Sequence, residues 1–311
     1  MRPSTQLPRL LIGPLLLASS SCLLAQDSVV GDPKVVVPGS TVELLFDGAF
    51  ITEGPAVAPD GSVYFSDITI TDQTEMQAGH IWRYDPRTGT TSVFRSPSGM
   101  ANGIVFDVAG RMVVAEGADF GGRRITRTDL DTGKSVILAG LYEGKALNSP
   151  NDLEVGDAGR IYFTDPRYSG HEPVDQPVEG VYRLDPDGTL VRIVADIDKP
   201  NGIVISPDQR RLYVAAVAGS DQAIFQYDLD SAGNVVGGST LIDFTTGRGP
   251  DGLTVDSDGN IYAARIDETR GIYVYSPEGE QLAVIPTPEW PRNVTFGRDD
   301  TASTLYITAG T

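Results

Sequence analysis

The stretch IYFTD, residues 161–165, reads as a short buried strand: β-branched and aromatic residues closed by an acid. It has five counterparts: VYFSD (63–67), MVVAE (112–116), LYVAA (212–216), IYAAR (261–265) and LYITA (305–309). Their second residues stand at 64, 113, 162, 213, 262 and 306, giving spacings of 49, 49, 51, 49 and 44. β-rich units that repeat every 40–50 residues are propeller blades. Most copies are preceded by a glycine turn, as at Asp60-Gly61, Ala109-Gly110, Ala158-Gly159 and Asp258-Gly259; the fourth and sixth lack the glycine. Ahead of each turn lies another apolar strand, such as GIVFD (103–107) or GLTVD (252–256). Hairpins follow the first five, for example IWRYDPRTGTTSVF (81–94). Each unit thus holds four short strands, and no stretch sustains a helical period. About 49 residues cannot bury a core alone, so the units must pack on one another. The reading is an all-β, six-bladed β-propeller over residues 41–311.

Closing the ring falls to the sixth unit. It stops two residues past its second strand, so its third strand has no residues. The segment VELLFDG (42–48) is expected to serve as its N-terminal closing strand, leaving that blade incomplete. Residues 26–40 are polar, with Gly31, Pro33, Pro38 and Gly39, and read as a linker. Residues 1–25 read as a signal peptide: Arg2 and Arg9 come first, then the apolar or small run LLIGPLLLASSSCLLA (10–25). Cleavage after Ala25 would remove the one cysteine, Cys22. The expected location is periplasmic or extracellular, with no stable membrane association after cleavage.

The chain of 311 residues carries 24 Lys+Arg against 42 Asp+Glu, a net charge of −18. That acidity excludes nucleic acid as a partner and disfavours anionic lipid, since both need clustered cations. A single cysteine and two histidines exclude a disulfide scaffold and disfavour a zinc site. There is no Gly-x-Ser-x-Gly elbow and no phosphate-binding glycine loop. His80 and His171 sit among loop residues and read as solvated.

One position per repeat draws attention. Directly ahead of each innermost strand stand EGP (53–55), ANG (101–103), PND (150–152), PNG (200–202), PDG (250–252) and RNV (292–294). The phased residues are Glu53, Asn102, Asn151, Asn201, Asp251 and Asn293. Pro-Asn-Gly and Pro-Asp-Gly are common turns taken singly. A turn does not require Glu53, however, and the Asp-Gly turns at the opposite strand ends already reverse the chain. At the start of innermost strands, these six oxygen-bearing side chains should converge at one mouth of the tunnel. Two of them are anionic, which suits a hard divalent cation such as calcium.

These motifs, with LNSPND (147–152), GRIYFTDPRY (159–168), PNGIVISPD (200–208), PDGLTVDSDGNIY (250–262) and RNVTFG (292–297), resemble the senescence-marker-protein, gluconolactonase and luciferin-regenerating-enzyme family, and its bacterial gluconolactonase branch above all. The resemblance spans about residues 50–309. It implies a six-bladed propeller that hydrolyses lactones, aldonolactones among them, around one divalent cation, usually calcium. It implies that Glu53, Asn201 and Asp251 hold the cation, that Asn151 stands beside it, and that Asp251 activates water. Asn102 and Asn148 match positions near the substrate pocket. The longest loops at this mouth, about 68–79 and 166–179, should shape that pocket, with Tyr168 as a candidate wall. The expected partner is a small-molecule lactone. A phosphotriesterase-like hydrolase and a non-catalytic calcium-stabilised binding propeller are the two other readings that the same residues allow.

Overall fold

The alternation within the second strand of each unit explains how the blades stack. Met112 and Val114 pack towards the preceding blade with Ala56, Tyr64, Ile81, Ile104 and Phe106. Val113 and Ala115 point the other way, towards Leu153, Ile161, Phe163 and Tyr182. Both faces of the strand are therefore buried between blades, which is why it reads as a continuous apolar run rather than as apolar–polar alternation. The same sharing continues from Ile203 and Val214 against Tyr162 and Val181, and from Tyr213 and Ala215 against Leu253 and Ala263.

This computed structural model describes residues 29–69, 79–217, 219, 221–245, 247–266 and 269–310. The segment 1–25, read as a signal peptide, and most of the loop 68–79 lie outside the described residues. Five four-stranded antiparallel blades are present. Blade one comprises Thr52–Val57, Val63–Asp67, His80–Asp85 and Thr90–Arg95. Blade two comprises Ala101–Phe106, Met112–Glu116, Arg124–Thr128 and Ser135–Ala139. Blade three comprises Leu153–Val155, Ile161–Asp165, Gly180–Leu184 and Leu190–Val194. Blade four comprises Pro200–Ile205, Arg211–Ala216, Ala223–Leu229 and Val235–Asp243. Blade five comprises Pro250–Val255, Ile261–Arg265, Gly271–Tyr275 and Gln281–Pro286.

The structure corrects the count of six blades. The sixth unit is a two-stranded sheet, Pro291–Phe296 paired with Leu305–Ala309. Residues 42–48 form no strand and do not add to it. Phe46 instead lies against Phe65 and Trp82 of blade one, with ring centroids 5.9 and 4.9 Å away. Laid on these rings, Phe46 covers apolar surface of blade one, a placement that draws the segment away from the sheet edge. Among the described residues one backbone bridge joins the sixth unit to blade one, Ile51 to Gly310, and Tyr306 packs there against Val57 and Val63. Closure also uses the Thr52 hydroxyl, which donates to Ala309 O at 2.7 Å and accepts from Ala309 N at 2.9 Å. Further upstream, Val30–Gly31 adds a fifth strand to the outer edge of blade five. Val35, Val36 and Val42 pack against Phe296, Leu305 and Ile307 of the sixth unit.

The turns carry their expected chemistry. Asp60 accepts from Ser62 N at 2.9 Å, and Gly61 adopts φ +81°. In the fourth unit, which lacks the glycine, Gln209 takes the same left-handed conformation at φ +60°. Among the described residues no helix is long and apolar enough to cross a membrane.

Candidate functional site

The phased residues do not form turns. In blades one, two, four and five they lie inside the innermost strand, where its pairing register shifts: between Glu53 and Ala56, Ala101 and Ile104, Pro200 and Ile203, Pro250 and Leu253. Such bulges re-aim side chains beside functional sites. Here Glu53 and Asp251, from blades one and five, come within one another's electrostatic field, and the Asn201 side chain bonds Asp251. The following glycine is a close-approach position: a Cβ on Gly54 would stand 2.1 Å from Asn102 O, and one on Gly202 would stand 2.4 Å from Asp251 O. Adjacent blades can therefore meet backbone to backbone around the mouth.

Glu53, Asn102, Asn201, Asp251 and Asn293 are all between 5% and 8% exposed. Asn151 is half-buried, and its carbonyl accepts from Gly103 N at 2.7 Å. Hydroxyls on the second strands lock the ring: Ser66 donates to Asn102 O and Thr164 to Asn201 O, each at 2.7 Å.

Electrostatics tie the ring together. Burial pushes the Glu53 carboxyl well above the usual range, and the charges of Asp251 and Asp152 push it further. Asp251 is raised by burial too, but Arg292, at 3.4 Å from Oδ2, and the Asn201 side chain hold it down. Asp152 is pushed up to about 7, again chiefly by burial. Three carboxylates within one another's field, all out of water, cannot all ionise cheaply without a cation. The Asn102 Oδ1 atom is buried with no hydrogen-bond partner, a further acceptor awaiting a donor or an ion. Among the described residues, no three His, Cys, Asp or Glu side chains group tightly enough to hold a metal alone. A cation held here would need oxygens beyond the carboxylates, and the ring's amides offer them. The oxygen chemistry of Glu53, Asn151, Asn201 and Asp251 fits a hard divalent ion of that mixed kind.

Two residues were missed from sequence. Asp152 stands where four other units carry glycine (Gly54, Gly103, Gly202 and Gly252), and that irregularity was the available signal. Arg292 precedes the phased residue where blades three, four and five carry proline. Of the other predicted residues, Tyr168 stands beside the ring: its hydroxyl accepts from Asn201 Nδ2 and donates to Lys199 O, both at 3.1 Å. Asn148 lies at the start of the loop ahead of blade three. It is fully buried, its Nδ2 turned to Asp165 O at 3.4 Å and Val178 O at 3.3 Å. Through these bonds it pins the base of loop 166–179, while its Oδ1 is buried with no hydrogen-bond partner. Arg123 and Arg167 grip its carbonyl at 3.1 and 2.9 Å. Below the ring a cavity of about 220 Å³ runs down the tunnel past Asp152, Glu154, Thr254 and Arg298.

Comparisons with known proteins agree with this architecture. A gluconolactonase of Zymomonas mobilis is 33% identical over 297 residues, covering 86% of this chain and 78% of that protein. A solved gluconolactonase from Xanthomonas campestris superposes with a TM-score of 0.74 at 33% identity, covering 86% of this chain and 85% of the other. Regucalcin, a calcium-binding protein from Agrobacterium tumefaciens, shares the fold with a TM-score of 0.66 at 20% identity, covering 83% of this chain and 82% of the other. Residues 51–311 match the SMP-30/Gluconolactonase/LRE-like region, and the chain belongs to that family.

Proposed function

We propose that the protein is a cation-dependent lactonase acting on sugar aldonolactones such as gluconolactone. One observation carries this reading: buried carboxylates and amide oxygens from separate blades converge at one mouth of the tunnel. Family membership and the gluconolactonases among its relatives support it. Glu53 and Asp251 bring two negative charges, matching a divalent ion, and Asn151 and Asn201 add neutral oxygens; these four would hold it. When bound, a calcium-type cation supplies Lewis-acid polarisation of a carbonyl oxygen. The named calcium-binding character of regucalcin makes calcium the first ion to test.

The chain's own residues then do the following. Asp251 takes a proton from a water whose oxygen attacks the lactone carbonyl carbon. The ring carbon–oxygen bond breaks, and Asp251 returns the proton to the departing ring oxygen, giving the hydroxy acid. Arg292 keeps the Asp251 carboxyl from rising further, which preserves it as a base. Asn102 and Tyr168 offer polar contacts to the substrate hydroxyls. Read as a signal peptide, residues 1–25 support an exported enzyme, periplasmic or extracellular. The test is turnover of a lactone panel before chelation, after it, and after calcium is restored. Loss and recovery are expected. Full activity in a verified metal-free preparation would overturn the cation's role, and no turnover of any lactone would overturn the activity.

A further inference from the structure

Three of the 24 aromatic side chains are exposed among the described residues: Phe120 at 53%, Tyr168 at 43% and Trp290 at 42%. All three stand at the mouth that carries the phased ring. Phe120 follows Glu116, which pairs with Ala101 beside Asn102. Tyr168 touches Asn201 directly. Trp290 lies two residues from Arg292, the partner of Asp251.

Phe120 is the most informative of the three. Its φ is +65° and that of Asp119 is +67°, a backbone region unfavourable for bulky residues. Glycine would sit there without strain. Phe120 does not serve packing either, being more than half exposed. The strain is held by loop 166–179: the Glu172 carboxylate accepts from Asp119 N at 3.1 Å and from Phe120 N at 2.7 Å. His171 Nδ1 meets Asp119 Oδ1 at 2.6 Å. The imidazole then lies against the Phe120 ring, centroids 5.1 Å apart and planes tilted by 30°. The His171 side chain is itself 63% exposed. The result is an aromatic shelf edged by the Glu172 carboxylate, which Arg167 also holds at 3.2 Å; the same loop carries Asp175, paired with Arg123 at 3.0 Å. An aromatic face bordered by carboxylates and a guanidinium suits a sugar ring, whose C–H face packs on the rings while its hydroxyls bond the charged edge. An acyl chain could cover the rings but would offer nothing to the remaining lone pairs of that polar edge.

We propose that the Phe120–His171 shelf is an outer carbohydrate subsite. It binds a second sugar ring, so that the preferred substrate is a lactone carrying a glycosyl unit, an aldobionolactone, rather than a lone lactone ring. Tyr168 bonds Asn201 of the ring, and His171 of the shelf follows three residues further along the same loop, so a substituent on a lactone bound at the ring has the shelf within reach of that loop. This inference rests on the lactonase reading.

The test compares kcat/KM for cellobionolactone, gluconolactone and an acylated homoserine lactone in the wild type, Phe120→Gly and Phe120→Tyr. The wild type should prefer cellobionolactone through KM. Phe120→Gly should lower kcat/KM for cellobionolactone about tenfold more than for gluconolactone. It should also raise the melting temperature, because glycine relieves the left-handed backbone. Phe120→Tyr should keep the preference. Calorimetric binding of cellobionate to the same three proteins needs no turnover, so it separates failure of the shelf from failure of the lactonase reading. Phe120-dependent cellobionate binding without hydrolysis of any lactone would sink the activity and leave the shelf standing. Equal losses for both sugar lactones, preference for the acylated lactone, or cellobionate binding unchanged in Phe120→Gly would overturn the shelf.

Discussion

Asn293 donates its Nδ2 to Asp152 Oδ2 at 3.2 Å, although the two are 141 residues apart. One belongs to the two-stranded sixth unit and the other to blade three, opposite it in the ring. The bond therefore spans the tunnel just below the mouth. It turns one Asp152 oxygen towards the axis, next to the Glu53 and Asp251 carboxylates. The site is built from opposite sides of the ring and depends on ring closure.

Charge and base roles in the ring should separate by mutation. Glu53→Gln keeps the shape and removes one charge, so calcium affinity should fall. Asp251→Asn removes a charge and the proposed base together. At saturating calcium, Glu53→Gln should recover much of its turnover, while Asp251→Asn should stay about 10²–10⁴-fold below the wild type. Steady-state kinetics against calcium concentration read both effects. Equal rescue would reduce Asp251 to a ligand.

Glu154 lines the tunnel, and burial pushes its carboxyl up from 4.5 to about 7. The folded state then binds the proton more tightly than the unfolded state. The stabilisation is complete below about pH 4.5 and is lost as pH rises through about 7. Asp165, also held at about 7 by burial, acts in the same sense. Glu154→Gln should be near neutral at pH 5 and should gain about 1–3 kcal/mol at pH 8. Denaturant unfolding at the two pH values checks this; equal destabilisation at both would show an ionised Glu154 in the fold.

Gly202 lies where blade four meets blade five. In Gly202→Ala the new Cβ would press on Asp251 O at 2.4 Å and Gly252 Cα at 2.9 Å. Both contacts are backbone, so neither can swing aside. A loss of about 1–3 kcal/mol is expected, together with weaker calcium binding because Asp251 shifts. Unfolding and calcium titration of the variant measure the two losses, and a neutral result in both would mean that the blades have slack there.

Leu305–Ala309 has a full strand partner on one side only, whereas Ile161–Asp165 is paired on both. Its amides should exchange faster with deuterium than those of 161–165. Thr52→Val removes both hydroxyl bonds to Ala309 and should cost about 1–3 kcal/mol, with the exchange difference widening. Equal protection of the two strands would point to closure by contacts other than the Thr52 and Ile51 bonds.

The amino-acid sequence alone was enough for the propeller, because an apolar strand returning every 49 residues with no core of its own can only stack. It also determined where oxygen-bearing side chains recur, since one register position per repeat is visible without coordinates. It could not decide how many strands the last unit would hold, because that turns on whether residues 42–48 gain more from pairing or from laying Phe46 on Trp82. Nor could it show that PNG and PDG are bulges rather than turns: the same residues favour both, and only a neighbouring blade pressing on Gly54 or Gly202 selects the bulge. Asp152 and Arg292 joined the site for the same reason. Their approach to Glu53 and Asp251 is made across blades, and contacts between distant segments leave no local trace in the chain.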